Sequence, residues 1–198
     1  MAEKTLTITQ GDITLLPLSD GAIVNPSNTG MILNRGVSSQ IARRAGPFIQ
    51  QTLHMRRSSL RKNRLEPGEA IETEAGQLPV KTLIHVSILG AKKIDERLIS
   101  NCILNAYDLV EELGLTAVAF PAVGVETASF PMEKFLDLFF RITNEEVPHS
   151  ETIRDVLLCL DDQEHFEMTQ DYLEKNFEML DERIEVNIEP GGIVPGML

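Results

Sequence analysis

Short apolar runs alternate with longer stretches of helical periodicity along this chain, which predicts a succession of strands and helices. Residues 5–9 place Leu6 and Ile8 between threonines, as a half-buried first strand does, and Gly11-Asp12 turns the chain. Ala22, Ile23 and Val24 form a buried-strand run that stops at Asn25 and Pro26, leaving Asn25 and Asn28 at its carboxyl end. From Ser39 onward Ile41, Ala42, Ala45, Phe48, Ile49 and Leu53 recur at helical spacing. That spacing predicts one helix to about residue 60, with Ser38 as its cap. Pro67-Gly68 is a turn, and 69–74 and 82–89 read as strands joined by a loop at Gly76 and Pro79. Leu98, Ile99, Cys102, Ile103, Ala106, Leu109, Val110 and Leu113 mark an amphipathic helix over 94–113, ended by Gly114. A strand over 116–121, a helix over 130–147, a buried strand over 153–160 and a helix over 163–177 complete the series. Such alternation predicts an α/β fold, a mostly parallel sheet between helix layers.

Composition narrows the picture. The 198 residues suit one domain with a substantial core, and 42% hydrophobic residues argue against disorder. No apolar run reaches bilayer length and the first residues lack a secretory pattern, so a soluble cytoplasmic protein without membrane contact is expected. Cys102 and Cys159 fall in apolar segments and suit reduced, buried thiols. The net charge of −12 is uneven, with nine Lys or Arg against four Asp or Glu in residues 1–66 and the acidic excess beyond. Arg56, Arg57, Arg61, Lys62 and Arg64 could attract a polyanion, but cations also favour a helix C-terminus, and the acidic remainder opposes nucleic-acid binding. His85 reads as strand core, and His54, His149 and His165 are scattered without metal-ligand spacing. Neither metal nor cofactor is expected, and the oligomeric state is not readable.

Several motifs carry a family resemblance. Gly11-Asp12-Ile13-Thr14, a strand ending Val24-Asn25-Pro26-Ser27-Asn28, the Gly36-Val37 pair and the Ile41 to Gly46 helix stand in that order. Residues 67–85 and Ala119-Phe120-Pro121-Ala122-Val123-Gly124 follow. Together they resemble a macro domain, the family of ADP-ribose-binding modules, over about the first 175 residues. The resemblance implies a three-layer α/β/α macro-domain fold with a mixed, mostly parallel central sheet. It assigns 1–180 to the macro domain and 181–198 to an acidic C-terminal tail. That tail has room for one added strand over 183–188, is broken by Pro190-Gly191-Gly192, and ends near Pro195-Gly196.

Site residues follow from the resemblance position by position. Asp12 matches the acidic residue that accepts from the adenine amino group, and Ile13 the neighbour whose backbone N–H faces the ring. A carboxylate there also stabilises a turn. Asn28 matches the asparagine that holds the distal ribose hydroxyls, although a turn residue bonding its own backbone has the same appearance; Asn25 fixes loop geometry. The diphosphate is implied to lie between Gly36, Val37 and Ser38 on one side and Gly124, Val125, Glu126, Thr127 and Ala128 on the other, where backbone N–H groups suit an anion.

The chain departs from the family pattern at these loops. Leu33, Asn34 and Arg35 replace a glycine run, Glu126, Ala128 and Ser129 replace a Gly-aromatic-Gly pattern, and Leu160 stands where an aromatic stacks on adenine. Glu126 has three open roles: repelling a diphosphate, turning into solvent, or pairing with Arg35. Ser38 and Ala42 occupy the positions of the aspartate and histidine of the family's hydrolases, so no catalytic residue is assigned. The expected function is a non-catalytic reader of ADP-ribose or an ADP-ribosylated protein. An ADP-ribosyl hydrolase or ADP-ribose 1''-phosphatase is one alternative, and a decayed pocket serving a protein partner is another.

Overall fold

The computed structural model describes residues 4–190. Seven strands form one sheet: β1 (Lys4–Gln10), β2 (Leu18–Asn28), β3 (Ala70–Glu74), β4 (Val80–Leu89), β5 (Ala117–Phe120), β6 (Asp155–Leu160) and β7 (Ile184–Glu189). Their order is β3-β4-β2-β5-β6-β1-β7. All neighbours are parallel except β3 and β4. Six helices cover the two faces: α1 (Gly36–Arg44), α2 (Ile49–Ser58), α3 (Glu96–Glu112), α4 (Val125–Ala128), α5 (Met132–Glu146) and α6 (Gln163–Asn176). Strand alternation sends Ala22 and Val24 to one face and Ile23 to the other. The first face packs on α3, α5 and α6, the second on α1 and α2. The result is three layers, α/β/α, with a mixed, mostly parallel sheet. On the larger face Phe120 at the end of β5 packs between Tyr107 of α3, tilted, and Phe139 of α5, edge-on, at ring separations of 5.0 and 5.5 Å. This fixes the strand end from which the chain enters α4.

The helix expected from Ser39 to about residue 60 is two helices. Gly46 turns back at φ +90°, and Pro47 after it has no N–H to continue the ladder. The Ala45 carbonyl, free at the end of α1, accepts from Gln77 N–H at 3.0 Å instead. Gly76 is seated so tightly beneath it that an added Cβ would lie 2.2 Å from the Ala45 oxygen. The end of α1 is thereby pinned to the β3–β4 hairpin, and Phe48, expected on the apolar face, is exposed. Ser38 is not the cap either. Arg35 occupies that position without a capping side-chain bond, and Ser38, inside the first turn, turns its hydroxyl inward.

At the other end of the chain β7 lies parallel to β1, with Glu189 beside Thr9. The breaks expected over 191–196 lie outside the described residues. The cations near α2 are mostly spoken for. Arg56 pairs with Glu72 at 3.0 Å, Lys62 and Arg64 share Glu66, and Arg57 donates to the Gly30 carbonyl. Cys102 and Cys159 are buried free thiols, each pushed up to about 12 by that burial. Among the described residues no helix is long and apolar enough to cross a membrane.

Candidate functional site

A narrow cleft opens at the carboxyl ends of β1, β2, β5 and β6, where a doubly wound sheet offers a crevice. Gly11, Pro26, Ala122, Cys159 and Leu160 form its floor at the strand ends. Ile13 closes one end, Val37 and Gln40 of α1 form one wall, and Glu126 and Thr127 of α4 the other, with Asp161 and His165 at the mouth. Of the residues expected in the site, Ile13, Val37, Glu126 and Thr127 therefore line one space. The two walls nearly touch: a Cβ added to Gly36, which sits at φ +48°, would meet Thr127 Cγ2 at 3.0 Å and Glu126 Oε2 at 3.8 Å. Only glycine fits that turn. Gly124, at φ +85°, is equally confined, since a Cβ there would fall 2.6 Å from Ile99 Cδ1. Its carbonyl accepts from the N–H groups of Ala128 and Phe130, which curls the second loop into α4. Val125 is buried in the core beneath it.

The remaining expected residues act at the margins. Asp12 caps the 3-10 turn Ile13–Leu15, accepting from Thr14 N–H at 2.9 Å and from the Thr14 hydroxyl. Its other oxygen accepts from Arg44 Nε at 3.1 Å. Burial opposes ionisation of this carboxyl, but the Thr14 bonds and then Arg44 outweigh it and hold Asp12 below its ordinary range. Asn28 ends β2 with its carboxamide spent on the following loop: Oδ1 accepts from Gly30 and Ile32 N–H at 3.0 and 3.2 Å, and Nδ2 donates to the Ile32 carbonyl at 2.8 Å. It is a turn residue bonding its own backbone.

Ser38 is buried and faces inward. Its hydroxyl donates to Asn25 Oδ1 at 2.8 Å, with the Pro26 carbonyl at 3.2 Å. Asn25 Nδ2 lies 3.0 Å from His85 Nδ1, and His85 Nε2 lies 2.7 Å from Thr73 Oγ1. This dry chain ties the first turn of α1 to β2, β4 and β3 in succession. Burial alone pushes His85 down to about 3, so the imidazole is neutral.

Several residues of the site were not legible from the sequence, among them His165, which the sequence left among the scattered histidines. Gln40 Nε2 donates to Asp161 Oδ2 at 3.2 Å across the cleft, and Arg44 stands one turn further along α1, over Asp12. Asp161, which follows directly on the apolar run of β6, also shares a hydrogen bond with Glu126. Burial, that bond, and the charges of Asp161 and Asp162 raise Glu126 to about 7. Glu126 thus pairs with an acid rather than with Arg35. Thr127 Oγ1 is buried without a hydrogen-bond partner, a polar atom in the cleft wall left unsatisfied by the protein. Among the described residues no cluster of His, Cys, Asp or Glu could hold a metal ion. The arrangement offers backbone and hydroxyl groups to a ligand.

Residues 24–139 match the family model described as the macro domain. The chain belongs to the macro domain family. This macro domain is 29% identical over 170 residues to O-acetyl-ADP-ribose deacetylase 1 of Pantoea vagans, covering 83% of this chain and 96% of that protein. An uncharacterized protein of Pyrococcus furiosus is 30% identical over 171 residues, covering 81% of this chain and 92% of its own. Among solved structures, the Oceanobacillus iheyensis macrodomain with ADP superposes on this macro domain with a TM-score of 0.78 at 25% identity, over 86% of this chain and 90% of that one.

Proposed function

We propose that this macro domain binds ADP-ribose, free or attached to a protein, in the cleft between α1 and α4, as a reader that does not turn the ligand over. The observation that carries this reading is the pair of facing loops at Gly36–Val37 and Glu126–Thr127, with an unsatisfied Thr127 hydroxyl in a crevice at the ends of parallel strands. Structures of a similar macrodomain with ADP and, as a point mutant, with ADPR support the ligand class. Asp12 then serves the adenine end and Asn28 shapes the loop at the distal ribose. Asp12→Ala and Asn28→Ala are each expected to weaken ADP-ribose binding by roughly 1–3 kcal/mol, the usual cost of losing one partner in a desolvated polar contact. Only Asp12→Ala should affect AMP, which lacks the distal ribose. Calorimetric titration checks both, and equal affinity of parent and variants for ADP-ribose would remove this site.

A second reading, hydrolysis of an ADP-ribose ester, is favoured by the name of the Pantoea vagans relative. Against it, the Ser38 hydroxyl is committed to Asn25, and Ala42 presents no polar group. Acid–base assistance supplies on the order of 10² to 10⁴ in rate, and neither position provides it. Incubation with a mono-ADP-ribosylated carboxylate or an O-acetyl ester is expected to release no product by mass spectrometry. Turnover that disappears in Asn28→Ala would establish the hydrolase instead.

A further inference from the structure

We propose that Glu126 makes ligand binding proton-coupled, so that the cleft takes up close to one proton for each diphosphate it binds, held on the Glu126 carboxyl beside Asp161. The inference rests on the reading that the ligand carries a diphosphate between the two loops, and it adds the charge state in which that ligand is accepted. Glu126 projects from α4 toward the first turn of α1, with Oε2 3.8 Å from the position of a Gly36 Cβ. It stands on the wall that the anion must pass.

The groups around the pair are accounted for from every side. From α1, Gln40 donates to Asp161 but carries no charge, and Arg44 is held by Asp12 at the far end. From the start of α6, Asp162 adds a second negative charge, and His165 leans toward Asp162, with Nδ1 3.8 Å from its Oδ1. On the floor, the Cys159 thiol stays protonated. Among the described residues no cationic side chain pairs with Glu126. A carboxyl group that shares a narrow cleft with a second carboxylate and has no cation beside it keeps its proton more readily, and Glu126 holds its own up to about 7. A diphosphate placed beside it adds negative charge at short range and raises the affinity of Glu126 for that proton. The proton therefore returns when the ligand arrives.

Calorimetry of ADP-ribose binding in buffers of different ionisation enthalpy reads the proton count directly. At pH 5.5 Glu126 is already protonated and no uptake is expected. At pH 8 uptake should be roughly half to one proton, and Kd should rise by up to about tenfold per pH unit above neutrality. Glu126→Gln keeps the shape of the protonated side chain, so it should abolish the uptake and bind roughly fivefold to a hundredfold more tightly than the parent at pH 8. A parent that binds at pH 8 without buffer dependence overturns the proposal while leaving the reader function intact. Uptake that persists in Glu126→Gln and vanishes in His165→Gln assigns the proton to the histidine and also overturns it. Failure of both the parent and Glu126→Gln to bind ADP-ribose from pH 5.5 to 8 removes the functional reading, and this inference with it.

Discussion

Asn25→Ala is expected to destabilise the protein by roughly 2–4 kcal/mol, because it empties the middle of a buried polar chain. Asn25 is fully buried, and its carboxamide is the sole link between Ser38 on α1 and His85 on β4. Ser38 retains the Pro26 carbonyl as a fallback, but His85 Nδ1 would be left without a partner in the dry interior. The first turn of α1 would then be released from the sheet, so ADP-ribose affinity should fall together with stability. Urea denaturation should show the midpoint lowered by about 1–2 M at unchanged slope. Combining Asn25→Leu with His85→Leu should cost less than the two single changes added, since the bond between the two side chains is then lost once rather than twice, while Thr73 Oγ1 loses its partner in both the single and the double variant. A midpoint for Asn25→Ala within error of the parent would mean that the chain contributes nothing.

The second large effect is on acid stability. His85 is neutral in the native state, pushed down to about 3, whereas the unfolded chain protonates it near the ordinary 6.5. Stability is therefore complete above pH 6.5. Below it, each pH unit costs about 1.4 kcal/mol, until the native imidazole itself protonates near pH 3. Glu126 acts in the opposite direction. Its folded value near 7 lies above the ordinary 4.5, so the native state holds a proton that the unfolded chain releases, and stability rises as pH falls from 7 to 4.5. Depressed carboxyls such as Asp12 lose their contribution only below the ordinary carboxylate range, so the interval from 6.5 to 4.5 isolates these two groups. Denaturation at pH 7 and pH 5 should show Glu126→Gln losing more stability on acidification than the parent, and His85→Gln losing less. Equal slopes for His85→Gln and the parent would mean that His85 is not the acid-sensitive group.

The elements were readable because each repeats a simple period: Leu6 and Ile8 on β1, or Leu98, Cys102, Ala106 and Val110 down one side of α3. The same periodicity concealed the break at Gly46-Pro47. Ile41, Ala45, Ile49 and Leu53 all bury against one face of the sheet, so the apolar rhythm runs straight through two separate helices. The turns that flank the cleft were readable where backbone form dictates them, at Gly36 and Gly124. Contacts across it were not. Gln40 meets Asp161, Arg44 meets Asp12, and Glu126 meets an acid rather than Arg35. Each joins residues far apart in the chain, through side chains whose direction no local pattern determines. His85 was readable as a strand-core residue, but its partners Asn25 and Thr73 lie on two neighbouring strands and emerge only with the register of the sheet.

The pairing of β7 with β1 settles where a reporter can be attached. Because the two strands run in the same direction, Glu189 stands beside Thr9, at the end of the sheet that carries Asp12 and the cleft. Lys4 stands at the opposite end, roughly 20 Å away along the strand. A fluorophore anchored near Glu189 should sense occupancy of the base end of the cleft. Surface immobilisation through the amino-terminal side leaves the mouth facing the solution.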